Sequence, residues 1–406
     1  MNRPVRQTTR DLRRHNRSAL LSRLYLQGPT SRQDLIGASG LSSATVSNVV
    51  ADLIADGLVM EAGLVDSDGG RPRTLVRVRG DVGFVAGVDI GETHVQIGLF
   101  DFMLTEVGTA VFPLETAQPA PELIADLLVR GVKEVTGQVG VDPADLLGVG
   151  VGVPGAVVPG QPELVYAPTL GWSGVPLAAL VRPHLDAPLQ FDNCARTLGQ
   201  AEVWRGAGQG ARRAIVALLG VGVGAALVTE SDSLGGVTST TSEWGHMVVN
   251  IGGRPCRCGS RGCLEAYVGA EAILDDYLRL PGATAFRATG TEARLAELIA
   301  DSVEPGPAAQ TLDTAAEVLG IGIAGLVNLL NPDHVVLSGW VGLALGPKVL
   351  SAVEATVRRH ALPYLAGNAR IVVGELGPEA VAMGAATMPV VRLLMAGGVK
   401  EVANGR

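Results

Sequence analysis

One histidine and three cysteines form the most chemically specific cluster in the sequence. His246 is followed by Cys256, Cys258 and Cys263, so three of the chain's 4 cysteines fall in one short stretch. Thiolates and an imidazole suit tetrahedral structural zinc, and four protein ligands leave no open position on the ion. Disulfides are rare in cytosolic proteins, and incidental buried thiols are the weaker alternative. The spacing predicts a structural zinc ion held by these four side chains.

Two glutamates flank the cluster. Glu243 lies in SEWGH and Glu265 in CLEAY, so a metal-folded loop would hold both carboxylates near His246. Carboxylates beside a histidine are well suited to accept hydrogen bonds from sugar hydroxyls. The alternative is that they only support the metal or a helix N-terminus.

Two glycine-turn hairpins frame this region. FVAGVDI, GET and HVQIGLFD predict one hairpin from Phe84, with Asp89 at its turn, and residues 214–230 predict another. Two related lobes would explain the similarity. The hydrophobic fraction of 47% and the 54 glycines are typical of an α/β protein with many tight turns.

The first 80 residues have a different character. Apolar positions repeat at helical spacing up to Gly28, a short helix follows, and Ser42 caps a third helix whose Val46, Val49, Val50, Leu53 and Ile54 share one face. Two strands, 58–64 and 74–78, would form a wing. These elements together predict a winged helix-turn-helix, with DNA contacts from Ser42, Ser43, Thr45, Ser47, Asn48, Arg71 and Arg73.

Charge supports this division. Residues 1–80 carry a balance of +5 and the remaining chain −13, within a total of −8. A basic head on an acidic body favours a nucleic-acid-binding module attached to a domain of another kind. No run approaches the ~18 apolar residues of a membrane span, and the start lacks the apolar core of a signal peptide. We therefore expect a cytoplasmic protein without membrane contact.

The chain resembles the ROK family of bacterial sugar kinases and sugar-responsive repressors. The most specific matches are E-x-G-H from Glu243 to His246 and C-x-C-G-x-x-G-C-x-E from Cys256 to Glu265. GVGVGVPGAV, FDNCARTLGQAE and LGPEAVAMGAA add to them. The resemblance implies an α/β fold: a two-lobed, actin-like (ribonuclease H-like) ATPase domain with sugar bound in the cleft between the lobes.

By motif, the resemblance implies a sugar site of Asp192, Glu243, His246 and Glu265, with His246 also ligating zinc. In the family's kinases the aspartate matching Asp192 is the general base, which must reach the sugar hydroxyl. Phe191 replaces the asparagine that precedes this aspartate in the kinases, and this removes a polar sugar contact.

Three departures from the kinase pattern predict that phosphoryl transfer is lost and that no ATP binds. Glu92 stands where a phosphate must approach, Val221 removes a hydroxyl donor from the second glycine turn, and Trp340 could fill the space of adenosine.

We therefore expect a winged helix-turn-helix at 1–80 and a sugar-kinase-like domain at 81–406. The first lobe would span about 84–190 plus a C-terminal helix at 377–396, and the second about 191–376. The predicted protein is a repressor, a homodimer or homotetramer that binds a double-stranded operator and releases it when sugar binds. The alternatives are an active, glucokinase-like sugar kinase that also binds DNA, and a regulator controlled by a protein partner.

Overall fold

The computed structural model describes residues 8–67, 70–116, 118–158, 163–229 and 243–399. The N-terminal part contains three helices and a three-stranded sheet of order β1-β3-β2. Its elements are α1 Thr9–Gln27, β1 Thr30–Ser31, α2 Arg32–Ser39, α3 Ser43–Ala55, β2 Val59–Ser67 and β3 Gly70–Val78.

Side-chain caps fix the helix-turn-helix. The Ser31 hydroxyl accepts from the backbone N–H of Asp34 at the start of α2, and the Ser42 hydroxyl accepts from that of Thr45 at the start of α3. Each cap satisfies an N–H that has no partner within the helix. Gly40, at φ 68°, turns the chain between the two helices. The predicted winged helix-turn-helix is confirmed.

The next part is built on a five-stranded sheet of order β11-β7-β4-β5-β6. Strands β4, β5 and β6 are antiparallel, whereas β7 and β11 run parallel to β4. A small sheet of β8, β9 and β10 lies beside it. The elements are β4 Phe84–Ile90, β5 His94–Asp101, β6 Glu106–Pro113, α4 Pro121–Val139, β7 Gly148–Val153, β8 Ala156–Val158, β9 Leu164–Ala167, β10 Trp172–Val175, α5 Leu177–Val181 and β11 Leu189–Asn193.

The following part contains a four-stranded sheet of order β13-β12-β14-β15, with helices packed around it. The elements are α6 Cys194–Arg205, β12 Arg213–Leu219, β13 Val223–Thr229, α7 Glu265–Val268, α8 Ala270–Arg279, α9 Thr291–Asp301, α10 Pro307–Leu330, β14 His334–Ser338, α11 Gly339–His360, α12 Pro363–Asn368, β15 Arg370–Val373 and α13 Ala380–Met395. The two-lobed α/β fold is confirmed, with a five-stranded main sheet in the first lobe and a four-stranded sheet in the second.

Within the described residues, one helix, α10, is long and apolar enough to cross a membrane. Its Leu312, Leu319, Ile323 and Val327 are buried in the core of the second lobe. The apolar character of α10 is therefore explained by packing in the core of the second lobe, chiefly against α11.

Helix α13 returns to the first lobe and lies directly on its sheet. A side chain at Gly87 on β4 would overlap the carbonyl oxygen of Ala382, and one at Gly150 on β7 would overlap that of Ala385. The absence of a Cβ at these glycines lets the helix backbone approach the strands closely. Helix α13 thus packs its backbone directly on strands β4 and β7.

The head and the first lobe share one hydrophobic core. Leu20, Leu24 and Tyr25 of α1 are buried in the same cluster as Phe102 and Leu393. The proposed boundary at residue 80 is thus crossed by continuous packing. The second proposed boundary, at 190, falls inside β11, all five residues of which pair with β7.

Candidate functional site

The four side chains predicted to bind zinc converge. Their ligand atoms all lie within 4.8 Å of one another. Cys256 Sγ is 3.7 Å from His246 Nδ1, and Cys258 Sγ is 3.8 Å from Cys263 Sγ. Sulfur ligands about 2.3 Å from a tetrahedral ion would lie about 3.8 Å apart. The donor set and its spacing therefore fit a metal ion.

Local backbone structure shapes the loop that carries the cysteines. Cys256 N–H donates to the carbonyl of Ser260 at 2.9 Å. Gly262 has a φ of 77°, and a side chain there would overlap the carbonyl oxygen of Asn250. Only glycine meets both conditions without strain. The sequence therefore folds this loop tightly enough to bring Cys258 back to Cys263.

Glu243 lies beside the metal cluster. It immediately precedes the short helical turn Trp244–His246, and its Oε2 is 4.0 Å from His246 Nε2. The Glu243 side chain is 58% exposed, so its carboxylate faces solvent. A ligand approaching from solvent can reach this carboxylate.

Glu265, in contrast, is buried at the start of α7 and already bound by protein donors. Its Oε2 accepts from the Val223 backbone N–H at 3.0 Å, and its Oε1 accepts from Arg257 Nε at 2.8 Å. Oε1 is also 3.9 Å from Cys256 Sγ. These contacts join Glu265 to the metal loop and to the second glycine turn.

Arg257 bridges the two lobes. Its Nη1 and Nη2 donate to Glu92 at 2.6 and 3.0 Å, while Nε and Nη2 donate to Glu265 at 2.8 and 3.2 Å. Burial alone would lower the pKa of Arg257, but the two carboxylates raise it above its ordinary range. Because Glu92 follows β4 of the first lobe, one guanidinium holds a carboxylate from each lobe.

This ion triad fills the space between the two glycine turns. A Cβ at Gly222 would lie 2.9 Å from Arg257 Nη2 and 3.0 Å from Glu92 Oε1. On the other side of the turn, a Cβ at Gly220 would lie 3.5 Å from Trp340 Nε1. Glu92 and Trp340, the two large departures from the kinase pattern, therefore both lie against the second glycine turn.

Asp192 lies on a different element from the three other predicted sugar ligands. It is near the carboxyl end of β11, where its Oδ1 accepts from the Asn193 backbone N–H and is 2.8 Å from Arg196 Nε. Burial raises the pKa of Asp192, although Arg196 and the N–H of Asn193 oppose that rise. The nearby guanidinium partly neutralises the carboxylate and limits its service as a general base.

Asp89 is a second carboxylate at the same sheet edge. Asp89 on β4 and Asp192 on β11 are both in register with Gly152 on β7. Two strand spacings separate them by roughly 10 Å. Burial raises the pKa of Asp89 to about 7. The sheet edge thus carries two carboxylates in one row.

The predicted DNA-contacting side chains of α3 are accessible. Ser42, Ser43, Ser47 and Asn48 are exposed, and Thr45 is half-buried. Val46, Val49, Val50 and Leu53 are buried, which leaves the polar face of the helix outward.

The other predicted DNA contacts are the two arginines of the wing. Arg73 Nη1 donates to Asp34 on α2 at 3.2 Å, so this guanidinium is tied to the head itself. The side chain of Arg71 lies outside the described residues.

Sequence reasoning did not identify three residues of the site: Arg257, Arg196 and Asp89 as a site carboxylate. Arg257 stands between two metal-ligand cysteines, and Arg196 is four residues after Asp192, a spacing at which helical side chains meet. That spacing was a usable signal for Arg196. The contact between Glu92 and Arg257 had no local signal, because 165 residues separate them.

Known proteins resemble the chain both in sequence and in structure. Over 402 residues it is 28% identical to the xylose repressor of Caldicellulosiruptor bescii, a match that covers 94% of this chain and 97% of the repressor. A solved ROK family transcriptional regulator, a homologue of the E. coli MLC protein, covers 95% of this chain at a TM-score of 0.78, with 98% of its own chain matched. At 20% identity that likeness shows the fold.

A kinase relative matches the body alone. The ROK family glucokinase from Streptomyces griseus, solved with glucose and AMPPNP, is 26% identical and has a TM-score of 0.64. It covers 75% of this chain and 99% of its own. The repressor match, in contrast, includes the N-terminal head. The ROK family signature itself spans residues 85–390, and the chain belongs to the ROK family.

Proposed function

We propose that the chain is a sugar-responsive transcriptional repressor. The observation that carries this proposal is the match to a xylose repressor over 97% of that protein's length and 94% of this chain, so the match extends into the N-terminal winged helix-turn-helix. The protein acts in the cytoplasm as a homodimer or homotetramer that places two heads on a double-stranded operator.

DNA is bound through α3. Ser42, Ser43, Thr45, Ser47 and Asn48 lie along the first turns of this helix, where short polar side chains reach base edges and phosphates. Arg71 and Arg73 on the wing add phosphate or minor-groove contacts. Arg73 exchanges its exposed ion pair with Asp34 for these contacts at little cost, because such pairs contribute little to stability.

The effector is a small sugar held in the cleft by Asp192, Glu243, His246 and Glu265. Carboxylates accept hydrogen bonds from hydroxyls, and a structural zinc ion at His246, Cys256, Cys258 and Cys263 holds the loop that orients two of them. Xylose is the first candidate because it is named in the repressor relatives. Glucose is the second because it is named in the kinase relative's complex.

The site has lost phosphoryl transfer. Glu92 and Arg257 occupy the space between the glycine turns, and Trp340 lies against the same turn. A nucleotide triphosphate would have to displace this ion pair and bring its own negative charge beside Glu92.

Operator binding and its release by sugar test the proposal. Fluorescence anisotropy at fixed salt would measure the affinity of the full chain for DNA from upstream of its gene, with and without xylose. We expect xylose to weaken binding at least tenfold, whereas mannitol has no effect. Failure of every sugar in a broad panel to change the affinity would contradict the proposal.

Two matched pairs of variants separate the two sites. Ser47→Glu introduces a charge that repels DNA phosphates. Its control, Ser351→Glu, places the same charge at an exposed position of α11. Glu243→Gln removes a sugar acceptor, and its control is Glu317→Gln, which has the same 58% side-chain exposure. The first variant should lose operator binding and the second sugar binding, while both controls behave as wild type.

An active sugar kinase is the second candidate, favoured by the retained Asp192 at the end of β11. An ATP-coupled assay with xylose and glucose decides between the two. Turnover by the wild-type chain that Asp192→Asn abolishes would establish the kinase and refute the loss of phosphoryl transfer.

A further inference from the structure

Helix α6 runs from the candidate sugar cleft to the DNA-binding head. Its 12 residues begin directly after Asp192 and Asn193 and end at Arg205, which corresponds to roughly 18 Å of helix. Helix α6 therefore connects the candidate sugar cleft directly to the head.

The cleft end is fixed by the site itself. The Asn193 side chain caps α6 by accepting from the Ala195 N–H at 2.8 Å. In the first turn, Arg196 Nε lies 2.8 Å from Asp192 Oδ1, and the Arg196 side chain is only 6% exposed. A change at the Asp192 carboxylate therefore acts on the first turn of α6.

The head end packs on a buried aromatic residue of α1. The rings of Trp204 and Tyr25 are 5.4 Å apart, and the Arg205 guanidinium lies 5.8 Å from the centre of the Tyr25 ring. The Tyr25 hydroxyl donates to the carbonyl of Phe102 at 2.9 Å, and Arg205 donates to the carbonyl of Met103 at 3.1 Å. We call the contact of Tyr25 with Trp204 and Arg205 the aromatic joint.

Close packing along its length prevents α6 from bending. A side chain at Gly384 of α13 would overlap the Thr197 carbonyl oxygen, so the two helix backbones touch. A Cβ at Gly199 would lie 2.7 Å from the Ala226 Cβ of β13. A helix held this tightly on both sides moves as a rigid body, because packed interfaces shift rather than deform.

We infer that α6 transmits sugar binding from the cleft to the DNA-binding head, and that the aromatic joint is where the head receives it. The inference rests on the proposed function. A sugar hydroxyl that takes over the Asp192 carboxylate alters its pairing with Arg196, and the resulting shift of α6 displaces Tyr25 and, with it, α1. The sugar changes operator affinity because it favours one position of α6.

Tyr25→Leu tests the inference. Tyr277→Leu is the matched control, because Tyr277 is also buried and hydrogen-bonded through its hydroxyl, but lies in the core of the second lobe. Trp204→Phe alters the opposite side of the joint, keeps an aromatic ring there and leaves the Tyr25 hydroxyl in place, so it keeps the test valid if Tyr25→Leu does not fold. Calorimetry measures the xylose affinity of each variant, and anisotropy measures operator affinity with and without xylose.

We expect Tyr25→Leu and Trp204→Phe to bind xylose and operator within about threefold of wild type, while the release of operator by xylose falls at least fivefold. Tyr277→Leu keeps the wild-type release. By reciprocity, operator DNA also ceases to change the xylose affinity of the joint variants. Wild-type release in both joint variants would overturn the inference alone. No release from the wild-type chain by any sugar would overturn the proposed function, and the inference with it.

Discussion

Replacing Arg257 by methionine would leave one buried and one half-buried carboxylate facing each other without their shared cation. The Glu92 and Glu265 side chains are 16% and 8% exposed. Two unit charges taken to be about 5 Å apart, at an effective dielectric constant of about 20, repel by roughly 3 kcal/mol. The lost charged hydrogen bonds add to this, whereas the 36% exposure of Arg257 reduces it through solvent screening. We expect a net destabilisation of about 3 kcal/mol at neutral pH.

Urea unfolding of the full chain would measure this effect, with the metal content of each variant determined in parallel. The double variant Arg257→Met/Glu92→Gln should recover most of the loss, because it removes one of the two charges. A double variant less stable than Arg257→Met alone would refute the electrostatic account of the triad.

Three further perturbations have defined outcomes. Asp89→Asn should stabilise the protein increasingly from pH 4 to pH 7, by an amount on the order of 4 kcal/mol, because the native pKa of Asp89 is raised from 3.8 to about 7 and its ionisation therefore opposes folding across that window. Cys263→Ser should lower bound zinc from about one ion per chain to a small fraction and weaken sugar binding. Gly384→Ala should cost about 3 kcal/mol in urea unfolding, because its methyl group meets the Thr197 backbone.

Each of these results has a contrary outcome. If the gain in stability of Asp89→Asn does not change with pH, burial of the ionised carboxyl is not the cause of that gain. Full zinc content in Cys263→Ser, measured by mass spectrometry, would exclude that thiol as a ligand. Wild-type stability of Gly384→Ala would show that α13 can move away from α6, contrary to the rigid packing described above.

The local elements of the fold could be predicted because their signals lie within a few residues. Ser31 and Ser42 mark helix starts through their own hydroxyls, and the apolar stripe of α3 follows helical periodicity. The metal cluster could be predicted for the same reason, since its four residues all lie between positions 246 and 263. The two similar glycine-turn hairpins suggested two related lobes, and the family resemblance supplied their actin-like arrangement.

The remaining features depend on contacts between distant parts of the chain. Arg257 meets Glu92 across 165 residues, and Arg17 donates to the Gly397 carbonyl across 380. The types of these residues do not specify such partners, since arginine side chains are most often solvated. The prediction that Glu92 would oppose nucleotide binding rested on the charge of its carboxylate alone. In the structure this carboxylate is paired with the Arg257 guanidinium.

The junction of α1 with α13 has a consequence for synthesis of the protein. Leu20 and Leu24 near the start of the chain are buried in the same cluster as Leu393 and Leu394 near its end. At translation rates of about 5–20 residues per second, the first helix waits tens of seconds for the last one. During that interval α3 and β3 of the head can cover part of the apolar face of α1, but the part that packs on α13 stays unburied. The junction between the N-terminal head and α13 therefore forms only after nearly all of the chain has been synthesised.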